Sequence, residues 1–232
     1  MTRALIILTC LLFSSRAAAA PQDERRLLDP RAVPAEGRAP SDFVPRGWKS
    51  EGEPLSGDLN RDGAADAVLR LIEDLPVENQ DGSFNTRHRA LVILFARPAG
   101  GYERAAVAAR LLYCSTCGGV LSDPAGGNVS AEIKAGVLNV GQLSGSREST
   151  DITQRFRYDP ASRRFLLIGE DKELFDRLTG ESTKESTNLL TGVKITETFK
   201  VAKKNAGPVL VSRRTTRVAA ARRFIEDVDY EQ

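Results

Sequence analysis

The stretch Val129-Ser-Ala-Glu-Ile-Lys-Ala-Gly-Val-Leu-Asn-Val-Gly141 decides the fold class of this chain. Two short segments rich in aliphatic residues flank Ala135-Gly136, and a two-residue connection of this kind is typical of a β-hairpin. Residues 152–158 alternate between apolar and polar side chains, and the turn at 159–162 leads into another apolar segment at 164–169. This pattern predicts a second hairpin, so consecutive strands are expected to pair antiparallel.

The segments on either side of these hairpins also favour strands. Residues 89–97 are apolar throughout their middle, which predicts a central strand buried on both faces. Residues 102–112 contain several alanines that favour a helix by propensity, but their place in a series of hairpins favours a strand, which we adopt. Further strands are predicted in segments of β-branched and leucine residues at 67–73, 192–201 and 208–211.

The predicted fold class is therefore all-β and mainly antiparallel, with a sandwich or partial propeller-like sheets and few short helices. Short strands separated by frequent turns are typical of such folds. A complete propeller would require several similar blades, and the sequence has no exact internal repeat.

The first twenty residues have the organisation of a secretory signal peptide. Arg3 precedes an apolar run from Ala4 to Phe13, and a series of small residues follows, with cleavage predicted near Ala18–Ala20. The apolar run is shorter than the ~20 residues that a transmembrane helix needs. Lipoprotein processing at Cys10 is the alternative. We expect a periplasmic or secreted protein without a transmembrane segment in its mature chain.

Residues 21–41 carry four prolines and eight charges without an apolar period, so we predict a flexible linker there. A single β-rich domain is expected over 42–232. Removal of residues 1–20 takes away two arginines, which leaves 31 basic residues against 31 acidic ones. A nucleic-acid-binding protein usually carries a basic excess, so no nucleic-acid partner is expected.

Two cysteines remain after the signal is removed, Cys114 and Cys117. An exported chain with one such pair predicts a disulfide. A zinc site would need two further ligands, and the chain has only one histidine. A redox-active pair would be expected at the start of a helix, whereas two glycines follow here.

The sequence Asp58-Leu-Asn-Arg-Asp-Gly-Ala-Ala-Asp66 predicts a calcium site. Calcium prefers six to eight oxygen ligands, and alternate oxygen-bearing residues let a curled loop direct several of them to one point. The expected ligands are the side chains of Asp58, Asn60, Asp62 and Asp66 and the backbone carbonyl of Ala64. A metal-free turn rich in Asp and Asn is the alternative. The twelfth position is Leu69 rather than glutamate, so the loop is not an EF-hand.

This loop resembles the calcium loops of FG-GAP and VCBS-type repeats, in which the pattern DxNxDGxxD lies between β-strands. The resemblance covers Gly57 to Ile72 and implies that the ninth-position aspartate, Asp66, is a ligand. More broadly, residues 43–48, the loop and the CxxC segment resemble a group of uncharacterised exported bacterial proteins that carry one such loop.

The remaining candidate residues do not indicate an enzyme. His88, the only histidine, lies in a charged loop and is interpreted as a solvated residue; no catalytic residue is assigned. Residues 203–223 are basic and could contact an acidic envelope polymer or a protein partner, although a charged edge strand is preferred. The acidic end, 226–231, is expected to pair with them.

We therefore expect a non-enzymatic calcium-binding protein of the envelope or secreted fraction. A secreted hydrolase acting on a polysaccharide or peptide is the alternative, because catalytic carboxylates from distant strands are invisible in a sequence.

Overall fold

A computed structural model describes residues 27–201 and 207–231 of the 232-residue chain. The fold is all-β and antiparallel, as predicted, and its strands form two sheets. In the described residues the only helices are 3-10 turns at Pro30–Ala32, Pro40–Phe43 and Ile225–Asp227. None of these has the length and hydrophobicity that a membrane-crossing helix requires. The predicted signal peptide, residues 1–20, lies outside the described residues.

Six strands form the first sheet, in the order β1-β6-β5-β4-β2, with β3 also paired to β4. Their bounds are β1 Glu36–Gly37, β2 Trp48–Ser50, β3 Leu55–Gly57, β4 Asp66–Glu73, β5 Arg89–Ala96 and β6 Tyr102–Ala108. The segment 102–108 is a strand despite its alanines, because pairing with β5 outweighs the weak helix propensity of a short segment.

Seven strands form the second sheet, each paired with its neighbour in sequence, and one of the two sheets curls into a half-barrel. Their bounds are β7 Val129–Lys134, β8 Val137–Gly145, β9 Glu148–Asp159, β10 Arg164–Asp176, β11 Ser182–Asn188, β12 Val193–Lys200 and β13 Val209–Arg217. Both predicted hairpins, β7–β8 and β9–β10, are confirmed. Ala135 and Gly136 both have positive φ, as the tight turn between β7 and β8 requires.

Strand β5 lies at the centre of the molecule and is buried on both faces. Leu91 and Ile93 pack with residues of the seven-stranded sheet such as Phe156 and Leu167. The alternate residues of β5, including Val92 and Leu94, pack in a second cluster on the opposite face. This double burial explains why the sequence of β5 is a continuous apolar run rather than an alternating one.

The second cluster is closed by residues that precede Phe43. Leu28 and Val33 are buried there, and β1 pairs with the edge of β6. The Arg104 guanidinium donates hydrogen bonds to the carbonyl oxygens of Pro30, at 2.6 Å, and Val33. This packing differs from the expectation of a flexible linker over 21–41, because two aliphatic side chains among many prolines and charges suffice to cover the outer face of the sheet.

Strands β11, β12 and β13 extend the seven-stranded sheet beyond the core. Among their residues only Ser182 is buried, and β13 is exposed along almost its whole length. Arg213, Arg214 and Arg217 lie on β13, so the described part of the basic segment includes a charged edge strand, as preferred from the sequence. Residues 203–206 lie outside the described residues.

The acidic residues within 226–231 form ion pairs with arginines other than those predicted from the sequence. Glu226 and Asp227 form ion pairs with Arg164, at 3.2 and 3.0 Å, and Asp229 pairs with Arg110 at 3.1 Å. Ile225 is buried in the main core. The expected pairing with the basic segment is therefore wrong for these three carboxylates, because burial of Ile225 positions them beside β6 and β10 instead.

Candidate metal site and neighbouring clusters

The Asp58–Asp66 loop connects β3 to β4, whose residues Gly57 and Asp66 are directly paired. Leu59 anchors the loop because its side chain is buried in the main core. Gly57 lets β3 approach β7: a Cβ atom at this position would lie only 2.7 Å from Cγ2 of Ile133. The loop is therefore held at the place where the two sheets meet.

Asp58 organises the exposed part of the loop. Its Oδ1 accepts hydrogen bonds from the backbone N–H groups of Arg61 and Asp62, at 2.6 and 3.2 Å, and its Oδ2 accepts one from Gly63 at 3.0 Å. Gly63 has a φ of +88°, a value that side chains disfavour. The first carboxylate thus curls the loop around itself, and the glycine permits the turn.

Asn60 and Asp62 lie next to each other at the loop surface. Asn60 Nδ2 donates to Asp62 Oδ2 at 2.9 Å, and Asn60 Oδ1 accepts from the Asp62 backbone N–H at 3.0 Å. Asp62 Oδ1 accepts from the Ala64 backbone N–H at 2.8 Å. The hydrogen bond from Ala64 and that from Asn60 lower the pKa of Asp62, so this carboxylate stays ionised.

Asp66 has a different environment from the other carboxylates of the loop. Its side chain is buried: Oδ2 accepts from the backbone N–H groups of Leu59 and Asn60, at 2.8 and 3.3 Å, and Oδ1 accepts from Ala96 at 3.0 Å. Burial raises the pKa of Asp66 despite these hydrogen bonds, and the charge of Asp62 raises it further. Asp66 therefore joins the loop to the end of β5.

These residues meet the chemical requirement for calcium, since every predicted ligand atom is an oxygen. Asp58, Asn60 and Asp62 are accessible at the loop surface, whereas Asp66 lies beneath them with three N–H partners. In the described part of the chain, no three acidic, histidine or cysteine side chains are grouped closely enough to hold a metal ion. Binding a cation would therefore require the carboxylates to draw together from their hydrogen bonds with the loop backbone.

The predicted disulfide between Cys114 and Cys117 is present, with a Cα–Cα distance of 5.0 Å. Between the two cysteines, Ser115 is buried: its backbone N–H donates to Arg87 O, and its Oγ accepts from the Arg87 N–H, each at 2.9 Å. Cys117 Sγ lies 3.5 Å from Tyr230 Oη. The disulfide closes a turn that covers one end of β5.

His88 is buried, so its interpretation as a solvated residue is wrong. Its backbone N–H donates to Glu73 Oε2 at 2.8 Å. The next residue, Arg89, is also buried and pairs with Glu51 through Nε at 2.9 Å. Sequence reasoning missed this ion pair, because its members are 38 residues apart and resemble ordinary surface charges in the sequence.

A cavity of about 330 Å³ lies on the seven-stranded sheet beyond the core, away from the calcium-type loop. It is lined by carboxylates from adjacent strands, namely Asp151, Asp171, Glu173, Glu185 and Glu197. Glu173 pairs with Lys184 at 3.1 Å, and Glu197 lies 3.6 Å from Arg213. The Asp171 carboxylate accepts hydrogen bonds from the Arg155 guanidinium group and from Ser186 Oγ.

Asp151 differs from the other carboxylates of this cavity. It lies directly across from Glu173 in the β9–β10 pairing. Partial burial raises the pKa of Asp151, and the negative charge of Glu173 raises it further. Two neighbouring carboxylates, one of them with a raised pKa, are thus present in a cleft. The sequence could not reveal this arrangement because it depends on strand register.

Comparison of the chain with protein-family models, with curated proteins and with solved structures found no match.

Proposed function

We propose that this protein is a non-enzymatic calcium-binding β protein of the cell envelope or secreted fraction, in which calcium stabilises the loop between β3 and β4. The observation that carries the proposal is the placement of the DxNxDGxxD pattern. The loop is anchored in the core through Leu59 and Asp66, while Asp58, Asn60 and Asp62 remain accessible to a cation. A cation there would offset repulsion between carboxylates at the junction of the two sheets.

Asp58, Asn60, Asp62, Asp66 and the carbonyl group of Ala64 are the residues that would hold the ion. Extracellular calcium modules bind with Kd values of about 10⁻⁴–10⁻³ M. Ligand at a hundredfold excess over Kd stabilises a fold by about 2.7 kcal/mol. Millimolar calcium is about one to ten times such a Kd, which corresponds to about 0.4–1.4 kcal/mol of stabilisation. It should therefore raise the Tm by about one to a few degrees, and a chelator should reverse the shift.

Calorimetry and thermal melts of the wild type and three variants test this proposal. Asp58→Ala and Asp62→Ala should abolish both the heat of binding and the Tm shift. Asp81→Ala is the matched control, because Asp81 is an exposed aspartate in another turn, where it accepts hydrogen bonds from Ser83. A wild type without heat or shift at several millimolar calcium would show that the loop is only a hydrogen-bonded turn.

Export is tested separately by sequencing the N-terminus of protein recovered from the periplasm or the medium. The expected N-terminus lies near residues 19–21, because the small residues at 18–20 follow the apolar run. An intact Met1 on most of the protein would contradict export, and a lipid on Cys10 would favour lipoprotein processing.

A secreted hydrolase acting on a polysaccharide or peptide is the second candidate, favoured by the cleft that contains Asp151 and Glu173. Asp151 and Glu173 are directly opposed across the β9–β10 pair, and glycosidases use two carboxyl groups that flank the scissile bond. Glu173 forms an ion pair with Lys184, and the raised pKa of Asp151 means that this carboxyl group retains its proton more readily than an ordinary aspartate.

Release of reducing ends from soluble starch, cellulose fragments and peptidoglycan tests the hydrolase hypothesis. Activity that disappears in both Asp151→Asn and Glu173→Gln, but persists in Glu132→Gln on the exposed surface of β7, would support it. Activity that survives either substitution in the cleft would place catalysis elsewhere.

A further inference from the structure

A second cavity, of about 290 Å³, lies between the Asp58–Asp66 loop and the β9–β10 hairpin. Asn60 and Arg61 line it from the loop, Arg157 and Asp159 line it from β9, and Arg222 lines it from the C-terminal segment. Three arginines therefore line one small space although they come from three distant parts of the chain.

Asp159 is the one carboxylate among the residues that line this cavity, and its interactions are satisfied locally. Its Oδ2 accepts from Ser162 Oγ at 2.7 Å and pairs with Arg222 Nη2 at 2.8 Å. The Ser162 hydroxyl, more than any other group, holds the pKa of Asp159 below its usual range, so the carboxylate balances Arg222. The positive charges of Arg61 and Arg157 are therefore not balanced by Asp159.

Within residues 27–201 and 207–231, neither Arg61 nor Arg157 forms an ion pair. Arg157 is half-buried on β9, between Val137 of β8 and Leu166 of β10. Arg157 is also one of the residues that line the cavity. A cationic group that is partly removed from water without a carboxylate partner favours an anion from solution.

We propose that this cavity binds an oxyanion, in the form of a phosphate, sulfate or carboxylate group carried by a small ligand. The planar guanidinium group presents paired N–H donors that match two oxygens of such a group. The volume is near the lower end of the roughly 300–1,000 Å³ typical of ligand pockets, which limits the ligand to one charged group with a small body. The proposal does not rest on calcium binding.

Isothermal calorimetry in a buffer freed of calcium by a chelating resin, at constant ionic strength and without soluble carboxylates, tests the proposal with inorganic phosphate, sulfate and glucuronate as probes. The wild type should bind at least one probe, and the probe bound most tightly identifies the source of the oxyanion. Arg157→Gln and Arg61→Gln should each weaken binding about tenfold, since each removes a charged donor.

Arg214→Gln is the matched control, because Arg214 lies exposed on β13 and forms no ion pair in the described residues. It should leave the affinity unchanged. The proposal is overturned if the wild type binds none of the three probes, if Arg157→Gln binds as tightly as the wild type while keeping its Tm, or if Arg214→Gln weakens binding equally. The last result would indicate general attraction of anions to a basic surface.

Discussion

At the scale of single residues, Asp66 shows how one side chain can be both a candidate ligand and a structural group. Its carboxylate accepts three backbone hydrogen bonds from the loop and from Ala96, and it is buried. Asp66→Ala should destabilise the fold by about 3 kcal/mol, because each buried N–H left without an acceptor costs about 1–3 kcal/mol and neighbouring losses are not additive. Urea unfolding in the presence of a chelator measures this loss without any contribution from calcium.

Asp62→Ala is the comparison for this prediction, since Asp62 is exposed and lies in the same loop. It should change the stability in chelator by far less than Asp66→Ala does. Equal and small effects of the two substitutions would mean that the three N–H groups find water instead, and that Asp66 matters only if a cation is bound.

At the scale of elements, β13 is an edge strand that carries both an apolar stretch and charges. Val209, Leu210 and Val211 are about half exposed, and three arginines follow them on the same strand. Exposed edge strands offer unpaired N–H and C=O groups to other chains, and charged side chains oppose such pairing. The combined substitution of Arg213, Arg214 and Arg217 by threonine should therefore promote self-association, measured by light scattering against concentration.

Replacement of the same three arginines by lysine keeps the charge and should leave the protein in its wild-type association state. If the threonine variant associates no more than the lysine variant, the charges of β13 do not protect the edge, and the strand is available for another role. The polar character of β11 and β12, in which only Ser182 is buried, would then need a separate explanation.

At the scale of the whole molecule, the first described residues complete the core. A chain that begins at residue 27 keeps Leu28 and Val33, whereas one that begins at residue 42 loses both, together with β1. Burial of one aliphatic side chain contributes about 1.5–3 kcal/mol. The shorter chain should therefore lose about 3–5 kcal/mol in urea unfolding and expose the outer face of the six-stranded sheet, which increased binding of a hydrophobic dye would detect.

The chain that begins at residue 27 is the control, and it should match the full-length mature protein. If the chain that begins at residue 42 is equally stable, residues 27–41 cover the sheet without stabilising it. The expectation of a linker, drawn from their prolines and charges, would then describe them better than their packing does.

The sequence by itself determined the features that depend on near neighbours. Alternation of side chains and turn residues predicted the β7–β8 and β9–β10 hairpins, because strand period and turn geometry are local properties. The disulfide was predicted from a single cysteine pair, Cys114 and Cys117, in a chain expected to be exported. The continuous apolar segment of β5 predicted its central position, because a strand covered on both faces needs no polar side.

Only the tertiary structure decided which distant residues meet. Strand register and the packing of the two sheets bring together the ion pair Glu51–Arg89 and the cross-strand pair Asp151–Glu173. They also form the cavity that Arg61, Arg157 and Arg222 line. Leu28 is buried for the same reason, although charged residues and a proline flank the Leu27–Leu28 pair in the sequence. The periodicity of apolar residues along a strand predicts whether a side chain is buried, but it does not specify which distant residue packs against it. One hydrophobic or charged pattern is compatible with many strand pairings until the whole chain packs.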